Sequence, residues 1–343
     1  MKASHSKVSM QTIADILNTS KNSVSIALSG KKGISDQLRK RIIQKAEELN
    51  YVYKKTARSC GNANILIIAP EYVTSDTLFY SKIIWKIEKY AQENNCTVTL
   101  SSLSVQAEKE LQYPRINIAD YTGILVLGVV SERYVNSLRE LNIPIVLIDN
   151  FIYSLQIDTV VTANVEGAYI ATKHLIDLGH KDIGFIGSIN ITSSFYQRWC
   201  GFNKAMMDAG LNVNPEFNIL SDSPLTVLFN SVESISQIMA SKSIMPTAWF
   251  CANDRIAYSV ISYLNSKGFS VPDDISIIGF DDIELSSLYS PKITTISVNR
   301  DEIAKNAVDL LVYRSENNGI QHKISIYGNL VIRESTKSLQ RHL

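Results

Sequence analysis

Residues 248–282 read AWFCANDRIAYSVISYLNSKGFSVPDDISIIGFDD. Two short apolar runs, AWFCAND (248–254) and ISIIGFDD (275–282), enclose a helical stretch that begins at Arg255. The runs have the length and composition of buried strands. Asp254 is placed to cap the helix between them.

The same alternation extends upstream. ILIIAP (65–70), TVTL (97–100), GILVLG (123–128), IVLID (145–149) and IGFIG (183–187) are further runs. Helical stretches such as YSKIIWKIEKYAQENN and NVEGAYIATKHLIDLG separate them. Continuously apolar strands divided by helices predict parallel sheets covered on both faces, so the fold class of this part is α/β. Ligands of such sheets bind beyond the carboxyl ends of the strands. Polar residues stand there: Asp149, Asn253 with Asp254, and Asp281 with Asp282.

Residues 8–50 follow another pattern. VSMQTIADIL opens with Ser9 as N-cap and carries Ile13, Ile16 and Leu17 on one stripe. Asn18-Thr19-Ser20 interrupts, and Asn tolerates the left-handed backbone of a tight turn. Ser20 caps KNSVSIALS, whose inward face is Val24, Ala27 and Leu28, and Gly30 ends it. Ser35 caps a third helix with Leu38, Ile42, Ala46 and Leu49 inward. Two short helices joined by a tight turn and followed by a third predict an all-α helix-turn-helix domain.

Charge supports a nucleic-acid partner for this head. The 343-residue chain has a net charge of +1, but residues 1–60 hold twelve Lys and Arg against four Asp and Glu. The head is therefore at +8 and the remainder at −7. A basic head on an acidic body fits phosphate binding. In a helix-turn-helix, the first residues of the second helix reach base edges. Those residues are Lys21, suited to guanine O6 and N7, and Asn22, suited to adenine N6 and N7. Ser9, Ser20 and Ser25 suit phosphate oxygens.

From about residue 8 to 337 the chain resembles the LacI/GalR family of bacterial transcription regulators. In the head the resemblance rests on S-x-x-S-V-S-x-A-L-x-G, G-I-S, A-E-E-L-N-Y and A-R-S. In the body it rests on HLIDLGHKDIGFIGS, R-x-x-GF at 198–202, the stretch from Cys251 to Ser286, PKITTISVNRDEIAKNAVDLL and LVIREST. The resemblance implies a helix-turn-helix domain over 1–53 and a hinge helix over 54–62. It implies a two-lobed, periplasmic-binding-protein-like core over 63–343. The DNA-proximal lobe would hold about 63–162 and 292–321, and the other lobe about 163–291 and 322–340.

The family holds a small effector, usually a sugar or sugar derivative, between the lobes. The matched positions are Asp149, Arg198, Asn253 and Asp281, with Phe79 at the cleft mouth and Tyr196 and Trp199 flanking Arg198. The resemblance also implies a homodimer on a pseudo-palindromic double-stranded operator, with Lys54, Lys55, Arg58 and Cys60 in the hinge. Several residues depart from the family pattern. Ile26 stands where Arg is common, and it can pack on a thymine methyl but cannot clamp a guanine. Cys60 replaces the usual Leu wedge, Tyr53 a common Pro, Asn18 a common Gly and Ala163 a common Asp.

Other chemistry finds no support. Cys60, Cys96, Cys200 and Cys251 are widely spaced and read as free thiols. His174 and His180 are six apart, which does not place both on one helix face, so no metal site is expected. No phosphate loop or nucleophile elbow occurs, so neither catalysis nor a cofactor is expected. The polar start MKASHSKVSM and the lack of a long apolar run predict a cytoplasmic protein without membrane contact. The alternative functions are a cytoplasmic sugar-binding protein without operator-specific DNA binding and a sugar-modifying enzyme.

Overall fold

The computed structural model describes residues 8–29, 33–49, 51, 63–220, 232–240 and 244–339. The chain divides into two compact units, Met1–Ser59 and Cys60–Leu343. The expected hinge, with Lys54, Lys55, Arg58 and Cys60, lies outside the described residues.

The first unit has three helices: α1 (Met10–Ile16), α2 (Lys21–Ser29) and α3 (Asp36–Glu48). Ser9 closes a capping box with Thr12, and Ser35 caps α3 by accepting from Leu38 N. Asn18 takes φ +50°, the left-handed conformation needed to turn α1 into α2. Ile13, Ala14, Val24, Ala27, Ile42 and Ala46 form the buried centre. Ile16, expected on the buried stripe, is 51% exposed instead. At about 100° per residue it lies about 110° from the midpoint of Ile13 and Ala14, which already fill the inward face.

The second unit is built on two main sheets. The first has the order β10-β5-β4-β3-β1-β2: Lys323–Ile326, Asp158–Thr162, Ile145–Ile148, Gly123–Leu127, Asn64–Pro70 and Thr97–Leu103. All its pairings are parallel. The run ILIIAP is continuously apolar because alternate residues serve opposite faces. Ile65, Ile67 and Ala69 pack toward Ile83 and Ile87 of helix Tyr80–Glu93. Leu66 and Ile68 pack with Tyr134, Val135 and Leu138 of helix Glu132–Arg139.

The second sheet has the order β6-β7-β8, Ile183–Ile186, Ala248–Cys251 and Ser276–Ile278, again parallel. Helices Asn164–Asp177 and Ser193–Asp208 pack closely against each other. The glycine of R-x-x-GF explains the approach. A Cβ on Gly201 would stand 2.2 Å from the Val165 carbonyl oxygen.

The chain crosses between lobes after β5, after β9 (Thr295–Ser297) and after β10. The second and third crossings fall later than the expected 292 and 322. β9 pairs with β11 (Asn329–Val331), and Thr294 bridges to Ile278 of β8, so residues through 297 belong with the second sheet. β10 pairs with β5 and belongs to the first. Both strands are very short, and their partners are fixed by backbone hydrogen bonds that an apolar pattern does not report. Among the described residues no helix is long and apolar enough to cross a membrane.

Candidate functional site

The carboxyl ends of strands from both sheets open on one cavity of about 680 Å³. Five of the seven expected effector residues line it: Phe79, Asp149, Arg198, Asn253 and Asp281. Asp149 follows β4 with φ +56°, and Asp281 follows β8 with φ +107°. Aspartate tolerates such backbone better than most residues, and strain of this kind collects at binding sites.

Arg198 is 2% exposed and held on every side. Its Nε donates to Asn164 Oδ1 at 2.9 Å, and its Nη1 donates to the Ala252 carbonyl at 2.6 Å. Its Nη2 stands 3.0 Å from Asp281 Oδ1, an ion pair without the alignment of a hydrogen bond. The guanidinium also stacks on Phe280, 3.7 Å from the ring centroid. Tyr80 Oη donates to Asp149 Oδ2 at 2.9 Å.

Burial pushes the Asp149 carboxyl up to about 6; the Arg198 charge opposes this and the Asp281 charge adds to it. Asp281 is also raised by burial, against the pull of Arg198 and Arg300.

Tyr196 and Trp199 do not line the cavity. Ser194, Phe195 and Arg198 face it from helix Ser193–Asp208. Tyr196 and Trp199 each lie one residue, about 100°, further round. Tyr196 is 44% exposed beside Tyr153, and half-buried Trp199 stacks on Phe202 at 5.4 Å against the core. Asp254 is not the cap expected for its helix. Asn253 is, accepting from Ile256 N at 2.9 Å. Asp254 instead accepts from Thr295 Oγ1 at 2.6 Å and Ile283 N at 3.0 Å, tying the start of its helix to β9 and to the segment that follows β8.

Sequence reasoning missed Tyr72, Tyr80 and the pair Asp76–Arg255. Arg255 Nη2 donates to Asp76 Oδ2 at 2.7 Å, joining residues on opposite lobes across the cavity. Tyr72 Oη accepts from Val129 N at 2.7 Å. That contact needs Gly128, which has φ +88° and would place a Cβ 2.8 Å from Tyr72 Oη and 2.5 Å from Val73. Gly128→Ala is expected to cost about 1–3 kcal/mol through strain and overpacking. A urea midpoint unchanged from wild type would show that Tyr72 is not held this way.

In the first unit, Lys21 and Asn22 are exposed, and Ser25 and Ile26 are half-buried. Helical spacing pairs Lys21 with Ser25 and Asn22 with Ile26 on one face of α2, opposite buried Val24 and Ala27. Arg39 Nη1 donates to the carbonyls of Ile26 and Ala27 at 3.2 and 3.1 Å and fixes the carboxyl end of α2. Ser9 and Ser20 are both used as caps, Ser20 accepting from Ser23 N at 3.0 Å.

A family model described as a periplasmic binding protein-like domain matches residues 172–336. The HTH-type transcriptional repressor PurR of Vibrio campbellii is 31% identical over 340 residues, covering 96% of this chain and 99% of the relative. The chain belongs to the LacI/GalR family.

Solved structures agree on the fold. The transcriptional regulator CelR–cellobiose complex superposes with a TM-score of 0.68 at 19% identity, over 96% of this chain and all of that one. The lac repressor dimer bound to operator and the anti-inducer ONPF gives 0.67 at 22% identity, over 97% of this chain and all of that one. As a LacI/GalR member the protein is a DNA-binding transcriptional repressor controlled by a small effector, and its relatives are repressors rather than enzymes. Among the described residues no group of three or more His, Cys, Asp and Glu is placed to hold a metal ion.

Proposed function

We propose that this repressor is controlled by a carbohydrate bound between its lobes, and that a homodimer reads a pseudo-palindromic operator. The cleft carries the first half of the proposal. Buried Asp149 and Asp281 stand with Arg198 and Asn253 beside the rings of Tyr72, Phe79 and Phe195. Carboxylates accept strong hydrogen bonds from hydroxyls, and aromatic faces cover the apolar faces of sugar rings. One related fold is named for its cellobiose complex.

For the second half, a two-fold protein matches a two-fold site. The related lac repressor structure is described as a dimer on its operator. Lys21 and Asn22 would read bases from the start of α2, Ile26 would meet a thymine methyl, and Ser9, Ser20 and Ser25 would meet phosphates. Lys54, Lys55 and Arg58 would follow the backbone, with Cys60 at the minor groove. The protein would act in the cytoplasm.

The test is operator affinity with and without ribose, glucose and cellobiose. A sugar-dependent change corresponding to about 1–3 kcal/mol is expected. Affinity indifferent to every sugar, alongside a response to a non-sugar, rejects the carbohydrate reading. Lys21→Ala is expected to weaken the best operator by about 1–3 kcal/mol and leave random DNA almost unaffected. Equal losses on all sequences would make Lys21 a phosphate contact instead.

A further inference from the structure

The charge of the cleft is one-sided. Among the described residues, Glu71, Asp76, Glu108, Asp149 and Asp281 line it, against Arg198 and Arg255, with no lysine or histidine. Both arginines are already engaged. Arg198 serves Asn164, the Ala252 carbonyl and Asp281, and Arg255 serves Asp76. Behind the wall, Arg300 donates to the carbonyls of Asp281 and Asp282 at 2.6 and 3.4 Å. Arg333 donates to the Asp282 carboxylate at 2.6 Å. Both guanidiniums on the described lining are thus already paired with a carboxylate, and the unpartnered Nε of Arg300 is buried behind the wall.

Acceptors remain open. Asp281 is 8% exposed; its Oδ1 is buried against Arg198 Nη2, which leaves Oδ2 as its oxygen for a donor. Tyr80 bonds one oxygen of Asp149, and Ser131 N bonds one oxygen of Glu108 at 2.6 Å. The cleft therefore offers places for donors among an excess of carboxylates.

We propose that this cleft selects an uncharged, hydroxyl-rich effector and excludes phosphorylated and carboxylated sugars. The proposal rests on the cleft being the effector site. An anion placed there would sit among five carboxylates in a partly desolvated space, where like charges repel strongly. An uncharged polyol donates hydroxyls to the same carboxylates without repulsion. Burial already holds Asp149 and Asp281 above the usual carboxylate range, and the Asp281 charge adds to the rise at Asp149, which is the response expected of a site that disfavours more negative charge.

Thermal-shift titrations of the full-length protein at pH 7.5 compare ribose with ribose 5-phosphate and glucose with glucose 6-phosphate. Cellobiose and adenine serve as further uncharged probes. A stabilising sugar is expected to lose at least about a hundredfold in affinity on phosphorylation. A phosphate ester that binds as well as its parent sugar, or better, overturns the proposal. Stabilisation by adenine alone would retain the exclusion of anions and reject the carbohydrate reading, so the two failures are distinguishable. The comparison is repeated with a small-molecule cell extract divided on an anion-exchange resin, which removes dependence on the chosen probes. Stabilising activity belongs in the unretained fraction; its presence only in the retained fraction, or in neither, contradicts the proposal.

Discussion

Arg198→Ala is expected to abolish the effector response and to destabilise the core by about 3–5 kcal/mol. The size follows from burial. Arg198 is 2% exposed, so its charge depends on protein partners and not on water. Those partners come from three elements: Asn164 at the start of a helix, Ala252 after β7 and Asp281 after β8. Removing the side chain leaves Asp281 buried without its nearest cation and takes the Phe280 ring's guanidinium partner away. Arg198→Lys keeps the charge but cannot reach three partners at once, so it should lose less stability and still lose the response. Urea unfolding of the core and effector titration of each variant provide the check. A fully stable Arg198→Ala core would show that the ion pair does not support the cleft.

Asp149→Asn is expected to do the opposite to stability. The native carboxyl holds its proton to about pH 6, whereas an unfolded Asp releases it near 3.9. Between those values the native state binds more protons than the unfolded state. Stability therefore falls as pH rises across that window and levels off above it. The ionised carboxylate at pH 7.5 thus carries a penalty of at most about 3 kcal/mol. Asparagine removes the charge and can still accept the hydroxyl of Tyr80. The variant should be more stable than wild type at pH 7.5, equal to it near pH 4, and weaker in effector binding. This is the exchange of stability for function found at strained sites. Asp281 and Asp254 are also raised by burial, so a residual slope of the same sign should persist. Denaturation midpoints at the two pH values decide it; a variant less stable than wild type at pH 7.5 would mean that the charge is compensated.

Local signals in the sequence carried the local structure. Ser9 and Ser35 cap their helices, and Asn18 turns left-handed, because capping and φ > 0 are set by one residue and its neighbours. ILIIAP, GILVLG and IVLID became strands covered on both faces, whereas TVTL became part of the edge strand Thr97–Leu103, which is mostly exposed because it has a neighbour on one side only. Asp149, Asn253 and Asp281 reached the cleft because strand ends place them there. What was not legible depends on distance or rotation. Tyr80 meets Asp149 across 69 residues, and Asp76 meets Arg255 across 179. Tyr196 and Trp199 adjoin cleft residues in sequence but point elsewhere, because one helical step turns a side chain by about 100°. β9 and β10 exchange the expected lobes because three or four residues carry too weak a pattern to show which strand they join.

The most direct test of the whole account is selection of binding sites by the full-length protein from a random duplex library, at one stated salt concentration, with and without sugar. The expected result is a pseudo-palindrome whose half-sites match the reach of Lys21 and Asn22, with an enrichment that changes when the effector is present. Weak, salt-dependent binding with no recovered motif in either condition would contradict it.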